Sequence, residues 1–190
     1  MKTMRLSIKQ QTNRIEKIFS FSTKADKKAG MSWYSDASRF ADKTAEKYGL
    51  SKEQVCQLIS LLSPQVKWAR NKINVVDLIE GNVDGIFSCR RTISECERVV
   101  EGAFLIPKDR LKTYSFAKCI LDAGQGEDIV VDRHAIKIAF GEMSAKEIGI
   151  TKKRYLDAAK AYRIVAKKFN MSGAQMQAVT WVTYKRLVGR

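Results

Sequence analysis

The sequence predicts an all-α protein. Three observations carry that expectation. Apolar residues recur at helical spacing along most of the chain, and capping or stop residues fall where those stretches begin and end. Only one short run, Ile129-Val130-Val131, reads as extended, and it is too short to found a sheet. Apolar residues are 45% of the 190, which is ample for a buried core and argues against general disorder.

The first thirty residues lack sustained periodicity and read as a basic mobile arm with a helical turn near Ile15–Phe19. From Ser32, the residues Trp33, Ala37, Phe40, Ala41, Thr44, Ala45 and Tyr48 recur at helical spacing until Gly49 stops the run. Ser51 with Gln54 three residues on is a capping-box pattern, and Val55, Leu58, Ile59 and Leu62 form the stripe it introduces. Pro64 ends that helix. A third helix is expected from about Val66 to Ile79, stopped by Gly81, with shorter pieces around Asp84–Phe87 and Thr92–Glu101. Asp109–Leu121 follows, facing inward with Phe116, Ala117, Ile120 and Leu121. After the Gly124–Gly126 loop and the extended run, Asp132 opens a helix to about Phe140. Helices near Lys152–Phe169 and Ser172–Leu187 close the chain. There are no internal repeats and no low-complexity tract.

The chain holds 35 Lys+Arg against 20 Asp+Glu, a formal charge of +15. Residues 1–30 carry eight cations and two acids, residues 151–190 ten cations and Asp157 alone, and the stretch between is neutral. Charge gathered into two segments points to a polyanion, most simply nucleic acid; the plain alternative is a basic tail and a basic helix face with no partner. No apolar run approaches the roughly 20 residues that a spanning helix needs, and the opening stretch has no apolar h-region of a secretory signal. Cys56, Cys89, Cys96 and Cys119 form no metal-finger spacing, and the single His excludes a His-rich site. The expectation is an intracellular protein, cytoplasmic or nucleoid-associated, without cofactor or metal, monomeric and without an obligate protein partner.

Three segments resemble one family. Leu61-Leu-Ser-Pro-Gln65, with a following helix bearing Asn71-Lys72, is similar to the Leu-Leu-Ser-x-Gln signature of helix-hairpin-helix DNA glycosylases of the endonuclease III type. Lys112–Leu121, a loop and Val130-Val-Asp-Arg-His134 look like that family's helix, loop and Val-Asp-x-His signature. Gln175–Trp181 resembles its last helix. Order and spacing agree over roughly residues 50–185. The chain departs where the family has a Gly-rich hairpin: Leu105-Ile-Pro-Lys-Asp-Arg-Leu111 contains no Gly, so Lys108, Arg110 and Lys112 would meet phosphate through side chains. The iron–sulfur cysteines of some members are absent.

The resemblance implies a two-lobed all-α fold in which the N- and C-terminal segments share one lobe. The expected division is a basic arm at 1–30, a terminal lobe of 31–50 and 141–190, and a central helical barrel of 51–140, with Asp132 at the seam. It also implies DNA as partner and assigns Asp132 as the catalytic carboxylate. Base removal passes through an oxocarbenium-like centre at C1′, which a nearby carboxylate stabilises directly or by orienting water. The residues alone also allow Asp132 to be a plain helix N-cap on the amide of His134 or Ala135. Gln65 would fill the gap left by an extruded nucleotide, or simply cap the following helix. Ser115 aligns at the nucleophile position of lyase-type members and Lys112 lies a turn earlier, so no Schiff-base chemistry is expected. Lys67, Arg70, Asn71, Arg133 and His134 complete the expected DNA contacts. Trp33, Tyr34, Trp68 and Trp181 are candidates to stack an extruded base, with Tyr184 beside them, although each also fits core packing. A transferase that modifies a DNA base in place, and a catalytically inactive DNA-binding module, are the alternatives on the same scaffold.

Overall fold

The computed structural model describes residues 6–141 and 149–189, and among these it holds nine α-helices and no strand. The all-α expectation holds. The helices are α1 (Ile8–Ser20), α2 (Lys24–Tyr48), α3 (Lys52–Leu61), α4 (Trp68–Ile79), α5 (Arg90–Val100), α6 (Leu111–Leu121), α7 (Arg133–Phe140), α8 (Lys152–Lys168) and α9 (Gly173–Leu187).

The largest difference from expectation is at the N-terminus. Residues 1–5 lie outside the described residues, but the rest of the expected mobile arm is helical. Ser7 and Gln10 form a reciprocal capping box at the start of α1, whose buried face is Gln11, Thr12, Ile15 and Phe19. That stripe has helical spacing, but half of it is polar, so apolar periodicity alone hides it. α2 also begins earlier than expected. Thr23 N–H donates to Asp26 Oδ2 at 2.9 Å and Asp26 N–H to Thr23 Oγ1 at 3.1 Å, a second reciprocal cap. Gly30 lets α2 approach the Val179 backbone of α9 so closely that a Cβ would collide with it. The short helical piece expected at 84–87 is instead a turn, closed by Ile86 N–H to Val83 O at 3.1 Å. Arg70 Nη2 donates to Gly85 O there, and the segment is too short to propagate a helix.

The chain divides into two compact units, Met1–Ser35 with Gly124–Arg190, and Asp36–Ala123. The boundaries fall at 35/36 and 123/124, where the sequence had suggested 50/51 and 140/141. α7 belongs with the chain ends because it packs against α1, α8 and α9. In this first unit α1 packs most extensively on α8, then on α7 and α9, around Ile15, Ile136, Ala158, Tyr162, Val165, Met176 and Val179. Its corner with α2 is tied to the last turn of α9: Arg186 donates to both Asp26 oxygens and, through Nη2, to Phe21 O at 2.8 Å. In the second unit α3 is central and packs on α4, α5 and α6 around Val55, Leu58, Ile59, Val75, Val99 and Ile120. Among the described residues no helix is long and apolar enough to cross a membrane.

Candidate active site and nucleic-acid surface

A short extended segment leads to Asp132, and it has no strand partner. Its backbone groups are met by side chains instead. Ser172 Oγ donates to Gly124 O at 2.5 Å, at the start of α9. Arg163 Nη2 and Nε donate to Glu127 O at 2.7 and 3.2 Å. Tyr155 Oη donates to Ile129 O at 2.8 Å and accepts from Val131 N–H at 3.3 Å. Gly173 adds a close fit, since a Cβ there would strike the Ile129 side chain. Ile129, Val130 and Val131 are all buried, which is why this stretch reads as a continuous apolar run.

Asp132 stands at the end of that segment as the N-cap of α7. Its Oδ1 accepts the Ala135 N–H at 2.8 Å, so the capping arrangement read from the sequence is present. The residue is half-buried, as is His134 two residues on. The His134 ring faces Trp181 at 6.4 Å and Tyr184 at 6.0 Å between centroids, and Lys185 Nζ lies 4.3 Å from the Trp181 ring centre. Tyr162 of α8 is fully buried. Burial pushes its phenol well above the ordinary range, Thr180 tempers the shift and the Asp132 charge adds to it. Thr180 Oγ1 directs its own proton at Met176 O and Gln177 O, 2.9 and 3.0 Å away, and among the described residues no group completes a well-formed hydrogen bond to the Tyr162 hydroxyl. Asp132, His134, Trp181, Tyr184 and Tyr162 thus belong to one unit and to neighbouring elements.

The remaining expected residues separate by burial. Trp33 and Tyr34 pack edge to face at 4.9 Å, and Tyr34, 3% exposed, donates to Gln177 Oε1 at 3.2 Å inside the first unit. Trp68 packs against Phe40 at 5.8 Å in the second, with Lys72 near both rings. Asn71, expected at a DNA surface, is turned inward instead: it is 2% exposed and its Nδ2 donates to Ile59 O at 3.2 Å, joining α4 to α3. Arg110 is held by Glu95 at 2.6 Å, with Arg91 on the other oxygen of the same carboxylate at 3.1 Å. Burial pulls the Glu95 carboxyl up, but hydrogen bonds from Arg110 and Arg91 outweigh it and hold the group below the usual range. Ser115 is buried on α6. Lys67, Arg70, Lys108, Lys112 and Arg133 are exposed.

Gln65 is exposed and has φ of +63°, a left-handed conformation that non-glycine residues rarely take. It follows Pro64 in a turn closed by Val66 N–H to Ser63 O at 3.1 Å. Proline second and a left-handed residue third is the type II turn, which favours Gly at Gln65's place. Ala123 and Asn170 share the left-handed conformation, each with φ of +54°.

Burial pushes the Cys56 and Cys96 thiols up to about 12, so they are inert core groups. Among the described residues no three His, Cys, Asp or Glu side chains gather as metal ligands. The sequence reading missed Tyr155, Tyr162 and Arg163. The two tyrosines are seven apart on α8, a spacing that marks one buried face but says nothing of where their hydroxyls point.

The chain belongs to a family of unknown function, DUF7178, whose model matches residues 1–187. No curated protein and no solved structure matches it.

Proposed function

We propose that this member of the family is a DNA base-processing enzyme, most simply a monofunctional N-glycosylase that releases a modified base. The observation that carries the reading is Asp132. It is a half-buried carboxylate at a helix N-terminus, held by a side-chain-anchored segment and followed by the His134, Trp181 and Tyr184 rings. The unit that contains it has 21 Lys+Arg and 8 Asp+Glu over its residue range, a net +13. A cationic surface of that size suits a phosphodiester chain.

In the proposed reaction the bond between C1′ and the base nitrogen breaks, and the electron pair leaves with the base, which takes up a proton from solvent. Positive charge develops at C1′, where the Asp132 carboxylate lowers the barrier by charge and by orienting the attacking water. Water adds to C1′, its proton passes to the carboxylate or to solvent, and an abasic sugar is left. The Ala135 amide at the start of α7 holds the carboxylate in place. The Gln65 turn is assigned to fill the space of the extruded nucleotide. No covalent enzyme–sugar step is assigned to Ser115 or Lys112, and borohydride added during turnover should trap no adduct.

Incubation with oligonucleotides carrying a panel of modified bases, followed by hot alkali and by base mass analysis, tests the reading. Alkali-labile sites and free base are the expected result. An intact backbone with an altered base mass would make the protein an in-place transferase, and DNA binding without either outcome would make it a binding module.

A further inference from the structure

We infer that Tyr155 is a positioning residue for Asp132, and that α8 serves as the track on which the segment leading to the carboxylate is laid. The inference rests on the proposed role of Asp132. Its ground is the anchoring just described. An extended segment in a helical protein has no neighbouring strand to fix its register, so its conformation depends on whichever side chains reach its backbone. Among the described residues, Ser172 reaches Gly124, Arg163 reaches Glu127, and Tyr155 reaches Ile129 and Val131. Tyr155 contacts the backbone at two positions, and the second of them, Val131, immediately precedes Asp132.

The hydroxyl bridges Ile129 O and Val131 N–H, two residues apart, and so fixes the torsions at Val130 and the peptide entering Val131, one residue before Asp132. Tyr155 is 4% exposed, and Val131 is fully buried, so water does not compete for these groups. Its ring sits two helical turns before Tyr162, the buried phenol that feels the Asp132 charge. One face of α8 therefore carries both the hydroxyl that sets the backbone and the buried Tyr162 ring. Reaction at C1′ depends steeply on where that carboxylate stands, since displacement by about 1 Å can cost a hundred-fold in rate.

The test is Tyr155→Phe in the full chain, compared with Arg163→Ala, which releases Glu127 further from Asp132. Each is assayed for base release on an oligonucleotide that the wild type processes, for DNA affinity, and for amide exchange at Val131. Tyr155→Phe keeps the ring and should fold. It should speed Val131 exchange and lower kcat by ten-fold or more with KM unchanged, while Arg163→Ala, which frees the segment further from Asp132, should lower kcat by a clearly smaller factor. If the wild type releases no base from any oligonucleotide, the role of Asp132 falls and this inference with it. If the wild type is active and Tyr155→Phe turns over at the same rate, only the positioning role is overturned. Equal kcat losses in the two variants, in step with melting temperature, would also overturn it, by showing a merely structural contribution.

Discussion

In the unit made of the two chain ends, cations outnumber acids by 21 to 8; in Asp36–Ala123 the numbers are 14 and 12. Both units are helical and both bury aliphatic cores, so the difference is not one of architecture. The second unit spends its charge internally. Buried Glu95 takes Arg91 and Arg110, Glu53 takes Lys118, and Asp42 takes Lys52. In the first unit Asp26, Glu16, Asp157 and Glu127 are matched by Arg186, Lys168, Lys153 and Arg163. Lys9, Lys17, Lys24, Lys152, Lys160 and Lys167 are exposed beyond those pairs. Such an excess opposes folding through self-repulsion, so it serves something other than the fold. The proposed polyanion partner gives it a use.

The comparison breaks most visibly if α1 is not integral to the basic unit. Ile15 is fully buried, and Ile15→Ala should cost about 3 kcal/mol in chemical denaturation. A mobile arm would lose nothing. Next in size is the contrast in DNA affinity. Replacing Lys160 and Lys167 by Ala should weaken duplex binding and flatten the log K against log salt slope by up to about 1.8. Replacing exposed Lys43 and Arg90 of the second unit should change the slope little; equal changes would mean that the charge asymmetry has no bearing on binding.

A smaller effect is expected at Asp26. Hydrogen bonds from Arg186 hold its carboxyl below the ordinary 3.8, against the opposing pull of burial. A depressed carboxyl contributes stability that is fully present above its unfolded value and is lost as pH falls through the folded one. Asp26→Asn should therefore melt roughly 2–4 °C lower near neutral pH. The two proteins should converge as the pH drops below 3.8, and a gap that persists in acid would assign the effect to packing. The smallest change concerns Gln65. Glycine relieves the left-handed strain but frees the unfolded chain, so Gln65→Gly should stabilise by only about 0.5 kcal/mol. On the proposed reading it should also lower activity on paired DNA more than on single strands. Loss of stability would show that the glutamine serves the turn.

Helix periodicity and capping made most of the fold legible. Ser51 with Gln54, Asp132 before α7 and the stripes of α8 and α9 can all be read directly. α1 could not, because Gln11 and Thr12 occupy half of its buried face, and the start of α2 could not, because its first turn buries the carboxylate of Asp26. Asp132 was legible as an N-cap from its place ahead of a helix. The support beneath it was not, since Tyr155, Arg163 and Ser172 act on backbone atoms some tens of residues away, and a side chain that bonds to backbone leaves no residue-type signature at the other end. Asn71 and Arg110 show the reverse. Polar residues in a basic, motif-rich stretch read as surface, yet one joins two helices and the other neutralises a buried acid.

The central claim is that Asp132 performs chemistry and does more than cap α7. Asparagine caps a helix as well as aspartate does, so Asp132→Asn separates the two roles without disturbing the fold. Base release and duplex affinity should be measured together for this variant and the wild type, on an oligonucleotide that the wild type processes. Asp132→Asn should show unchanged melting, equal or slightly tighter binding, and base release reduced a hundred-fold or more. Base release at the wild-type rate by Asp132→Asn would contradict it.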